Sequence, residues 1–188
     1  IQNFESFIKT IRSEYYGKML LLSKKKFIID KLPMNFRWIG FIVKAFPEAK
    51  IIQIKRNPMA ICWSNYKINF PDPGMDYSLT QRDTAKYYIL YEDLMKFWFD
   101  TIDEKIISIN YENFVNDFEN ETRSLTEKLG IKWEDNLKNY NKNIRPIQTA
   151  SLVQVRGSIK KNTSEEWKKY RDQLKIMQET LDSAKIKY

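Results

Sequence analysis

Arg56 and Ser64 stand eight residues apart in RNPMAICWSNY, residues 56–66, and both are residue types that hold phosphate. Arginine offers a planar fork of N–H donors matched to phosphate oxygens, and a serine hydroxyl adds another donor. The stretch directly follows IIQIK, a β-branched apolar run, so the arginine falls where a strand ends and a helix begins. A cation at the carboxyl end of a buried strand costs solvation unless an anion meets it, and open α/β sheets take ligands outside those ends. The helix opens at Pro58, a favoured first position, behind Asn57 as its cap. Two turns, about 10 Å, lead to Ser64, within reach of a long arginine lying along the helix. The same pair also reads as an arginine salt-bridged to a loop carboxylate and a serine packed in a helix.

Three further residues sit at comparable junctions. Lys31 follows the apolar run KKFIID, where a positive charge would stabilise developing negative charge on a ligand; it also reads as a solvated lysine opening a turn. Tyr111 ends the strand predicted within KIISINYE, a place where a tyrosine commonly fits a core or rim position. Glu112, beside it, reads either as a base or, more tightly, as a structural carboxylate pairing with a nearby backbone group or arginine.

The elements that must position these residues alternate. Apolar residues recur at helical spacing from Asn3 to Leu22, giving a leading amphipathic helix. Strands are predicted at 25–30, 50–56 and 105–111, the second covered on both faces as in a parallel sheet. Helices are predicted at 36–45, after Pro58, over 80–102, at 118–129 with Gly130 as the stop, at 133–141 and from Ser164 onward. A polar connection spans 142–163. Strands separated by helical crossovers imply one α/β domain over residues 1–188 with a parallel sheet.

The 188 residues include no histidine and one cysteine, Cys62, which excludes imidazole catalysis and an internal disulfide framework within this sequence and removes the usual zinc ligand sets. No metal is expected. A net charge of +8 favours an anionic partner, although lysines scattered over solvated faces contribute much of it. No apolar run is long enough to span a bilayer and no signal-peptide pattern opens the chain, so a cytoplasmic protein is expected.

Four segments, in order, resemble the PAPS-dependent sulfotransferases, especially the tyrosylprotein and bacterial tetratricopeptide-linked branches: DKLPMNFRWIGFIVKAFPEAKIIQIKRNPMAICWSNY, YSLTQRDTAKYYILYEDLMKFW, INYENFVNDFE and RPIQTASLVQVRGSIKKNTSEEWKKY. The resemblance implies a P-loop-like α/β fold with a short parallel sheet flanked by helices. It implies that Arg56 and Ser64 hold the 3′-phosphate of PAPS or its product PAP, that Tyr111 lies against adenine, and that Gln154, Val155, Arg156 and Gly157 wrap the nucleotide. Lys31 and Ser151 would act at the transferring sulfuryl group. Arg156 and Gly157 resemble the family's Arg-Lys-Gly motif without its middle lysine, which leaves their separate roles open.

The glycine-rich loop that grips the 5′-phosphosulfate in this family has no counterpart in the sequence, since Gly17, Gly40, Gly74, Gly130 and Gly157 stand singly. The chain is therefore expected to be the carboxyl-terminal two-thirds of a sulfotransferase domain, lacking its first βα unit and inactive alone. The partners expected are the nucleotide and a hydroxyl or amine acceptor, with no nucleic acid. A homodimer could form through an uncovered sheet edge. The alternative is a nucleotide-binding or interaction module that keeps the fold without catalysis.

Overall fold

The computed structural model describes residues 2–68, 70, 74–142 and 160–188. Chain contacts divide it into two compact units, residues 1–51 with 91–106 and residues 52–90 with 107–188.

The first unit begins with helix α1, Gln2–Leu22, followed by a 3-10 turn, Pro33–Trp38, that continues directly into α2, Ile39–Ala45. The helix expected over 36–45 thus has a tighter opening, as Pro33 at its first position permits. The aromatic rings of Phe4 and Phe7 on α1 meet Phe41 on α2. Arg12 fastens the same pair of helices with a bond to the Ala45 carbonyl at 2.6 Å and a two-oxygen grip on Glu48 at 2.7 and 3.1 Å. The core of this unit gathers Ile39, Met95 and Ile106, with Phe36, Val43, Tyr91 and Trp98 packed around them. Gly40 is required here, because a Cβ on it would lie 2.9 Å from the Trp98 ring.

The predicted strand at 25–30 does not form. Residues 27–32 run without helix or ladder pairing, and Ile29 is 91% exposed. An apolar run gains strand structure only from a neighbouring strand, and none of the described strands pairs with it.

The observed sheet has two parallel strands, β1, Ile51–Lys55, and β2, Ile106–Asn110. Coverage of β1 on both faces, expected from its apolar run, is also not found: Ile52 and Ile54 are 43% and 61% exposed, because no described element covers that side. Each strand runs into a helix through an asparagine cap. The Asn57 side chain accepts from the Ala60 N–H at 3.0 Å and starts α3, Pro58–Tyr66; the Asn110 side chain accepts from the Asn113 N–H at 2.8 Å and starts α5, Tyr111–Asn116. The long helix α4, Gln81–Ile102, connects the strands.

After α5 comes α6, Phe118–Leu129, closed as expected by Gly130 in the left-handed conformation, φ 67°. Its Ile131 N–H returns to the Thr126 carbonyl at 2.8 Å, as helices ending on a left-handed glycine commonly do. A 3-10 segment, Asp135–Lys142, stands where a short helix was predicted. A second one, Thr163–Tyr170, leads to the last helix, α7, Lys175–Ser183. Met59 and Cys62 of α3 are fully buried in this second unit, as are Leu174, Met177 and Leu181 at the carboxyl end. Burial raises the Cys62 thiol to a pKa of about 12. Gln81 ties α4 to the terminal helix by donating to the Gln173 carbonyl at 2.8 Å and accepting from the Met177 N–H at 3.3 Å.

Candidate functional site

Because β1 and β2 are parallel neighbours, their carboxyl ends lie on one edge of the sheet, and the residues following each strand arrive there together. Arg56 comes from the first junction, Tyr111 and Glu112 from the second. Tyr111 is the opening residue of α5 rather than the last residue of a strand, since the Asn110 cap ends the ladder one residue sooner than predicted. From the carboxyl-terminal side, Thr163 and Ser164 open the 3-10 segment onto the same group.

The contacts are specific. The Arg56 Nε–H donates to Ser164 Oγ at 3.0 Å, and Nη2 donates to Thr163 Oγ1 at 3.1 Å. The guanidinium lies 4.6 Å from the Tyr111 ring centroid, a cation–π distance, so that face of the ring is taken. The Tyr111 hydroxyl shares a hydrogen bond with Thr163 at 3.3 Å. The Ser164 hydroxyl donates to Glu112 Oε1 at 2.5 Å, and the same oxygen accepts the Asn57 backbone N–H at 3.0 Å. Burial pushes the Glu112 carboxyl up, but the hydrogen bonds from Ser164 and Asn57 and the Arg56 charge outweigh it and hold the pKa below the ordinary glutamate value. Glu112 is therefore a carboxylate at neutral pH, in the structural pairing its position suggested.

Ser64 lies half-buried on the second turn of α3, a helix fixed at its start by Asn57. Lys31 belongs to the first unit, where it is exposed and precedes the Pro33 turn. Ser151, Gln154, Val155, Arg156 and Gly157 lie outside the described residues. Among the described residues no group of three or more His, Cys, Asp or Glu side chains is placed to hold a metal ion, and no helix is long and apolar enough to cross a membrane.

Sequence reasoning missed Thr163 and Ser164 as partners of Arg56. They are separated from it by 107 and 108 residues, and a Thr-Ser pair before Glu-Glu-Trp carries no pattern that points to an arginine.

The fold is α/β, with a short parallel sheet that presents at its carboxyl edge an arginine stacked on a tyrosine and held by hydroxyls. Residues 3–135 match the family model described as the sulfotransferase family, and the chain belongs to that family. An uncharacterized protein of Aquifex aeolicus (strain VF5) is 32% identical over 183 residues. That alignment takes in 96% of this chain and 24% of the relative, so the chain spans about a quarter of that relative's length.

Proposed function

We propose that this chain carries the 3′-phosphate-binding half of a PAPS site in a P-loop-like sulfotransferase domain whose activity is sulfuryl transfer to a hydroxyl or amine. The observation that carries the reading is Arg56, a half-buried cation at the strand edge whose described hydrogen bonds go only to neutral hydroxyls. Glu112 lies close enough to act on it through charge, yet no ion pair joins them directly, so the guanidinium keeps N–H donors for an anion.

PAPS, when bound, supplies the activated sulfuryl group. Arg56 grips the 3′-phosphate and, with Ser64, separates this nucleotide from those lacking that phosphate. Tyr111 supports Arg56 on one face and borders the adenine. The family resemblance assigns Gln154, Val155, Arg156 and Gly157 to the nucleotide, and Lys31 and Ser151 to the sulfuryl group. Such a site works by positioning and by fixed charge, and it requires no imidazole. The sequence itself fits, because it offers arginine, serine and lysine donors.

Retention on immobilised PAP tests this reading. The chain is expected to be retained and to be released by free PAP but not by the same concentration of AMP. Equal release by both would contradict a site built around the 3′-phosphate.

A further inference from the structure

The polarity of the hydrogen bonds around Arg56 is unambiguous. A guanidinium only donates and a carboxylate only accepts, so Ser164 between them must accept from Arg56 Nε and donate to Glu112 Oε1. Nε–H and one Nη2–H point from the same side edge of the guanidinium, and Ser164 and Thr163 occupy both. The end edge, formed by Nη1 and the second Nη2–H, donates to no described residue. Glu112 anchors this arrangement twice, through Ser164 on the guanidinium and through the Asn57 N–H on the backbone next to Arg56. Tyr111 supports the guanidinium from its face and reaches Thr163 through its hydroxyl.

We propose that Glu112, Ser164 and Thr163 are positioning residues that close the side edge of Arg56 and leave its end edge as the fork that takes a phosphate. The geometry carries this: two hydroxyls on one edge, a carboxylate behind them and an aromatic ring beneath. It deepens the functional reading and rests on it, since the phosphate in question is the 3′-phosphate of PAP. Ser164 is almost completely buried, with 4% of its surface exposed, so its hydroxyl is part of a fixed frame rather than a mobile surface group. An arginine that must choose among edges loses rotamer freedom when it binds; one already held does not, and preorganisation raises affinity without a new contact to ligand.

The test reads the guanidinium itself. In the ligand-free chain, the Arg56 Nε–H resonance, assigned by its disappearance in Arg56→Lys, is expected to be shifted and slow to exchange. It should move toward the exposed-arginine position in Ser164→Ala, be altered in Glu112→Gln, and be restored in Ser164→Thr. On addition of PAP the Nη signals should shift while Nε–H stays on Ser164. PAP should bind Ser164→Ala about tenfold more weakly, the size of one lost hydrogen bond, while AMP binding is unchanged.

Thr163→Val provides a second removal at a half-buried position should Ser164→Ala fail to fold; it is expected to weaken PAP binding with AMP binding unchanged. An Nε–H resonance indifferent to Ser164→Ala and Glu112→Gln overturns the positioning role even where PAP binds. A large Nε–H shift on PAP addition overturns the end-on geometry. A wild-type chain that shows the frame in its spectrum but binds PAP no better than AMP overturns the phosphate assignment and the end-on fork with it, while leaving the hydrogen-bond frame intact.

Discussion

Arg56→Lys separates charge from geometry at the proposed site. Lysine keeps the positive charge but presents a point donor instead of a planar fork. In the structure the substitution removes the Nε bond to Ser164 and the Nη2 bond to Thr163. Neither hydroxyl is orphaned, since Ser164 keeps Glu112 and Thr163 keeps Tyr111. The folding cost is therefore the lost contacts alone, about 1–2 kcal/mol in this partly exposed setting. For a chain of this size that lowers Tm by about 2–8 °C. Binding should suffer more. Losing one of two charge-assisted bonds to a phosphate costs about 1.5–3 kcal/mol, or about 10- to 150-fold in PAP affinity. Calorimetry of the variant with PAP and AMP, beside a thermal melt, measures both. PAP affinity within threefold of wild type, or an equal loss for AMP, would refute the argument that a two-pronged guanidinium reads the 3′-phosphate.

Other positions make independent predictions. Gly40→Ala places a methyl group 2.9 and 3.2 Å from Trp98 ring carbons. That ring is held by its Nε1 bond to the Phe36 carbonyl at 2.9 Å, so overpacking should cost about 1–3 kcal/mol in chemical denaturation. Glu112 has its pKa lowered on folding, so the stability it contributes is present above its ordinary value of 4.5 and is lost as pH falls through the depressed one. The groups facing it are the Arg56 cation, the Ser164 hydroxyl and the Asn57 N–H; the stability gap between wild type and Glu112→Gln should be constant near neutrality and shrink below pH 4.5. Cys62 is fully buried and its thiol is raised to about 12, so thiol reagents should leave the native chain unlabelled and react once denaturant unfolds it.

The parts of this protein that local chemistry dictates were legible in the sequence. Asn-Pro after an apolar run announces both the end of β1 and the cap of α3, and Gly130 announces the stop of α6. Arg56 stood out because a charged residue at such a junction needs a partner. The failures have a common cause, which is dependence on residues distant in sequence. KKFIID has strand composition, but a strand exists only when a neighbour completes its hydrogen bonds, and residues 27–32 have no described ladder partner. Ile52 and Ile54 look like core residues by type, yet burial is decided by what lies over the sheet. Tyr111 was displaced from strand to helix by the cap one residue before it. Thr163 and Ser164 could not be read as a guanidinium frame because more than a hundred residues intervene between them and Arg56.

Whether Arg56 at the end of β1 recognises a 3′-phosphate is read without intermediaries by calorimetric titration with PAP and AMP, in wild type and Arg56→Ala. Wild type is expected to prefer PAP, and Arg56→Ala to bind the two nucleotides alike at the level of AMP. A folded wild-type chain with no preference between them, or a preference that survives Arg56→Ala, would contradict it.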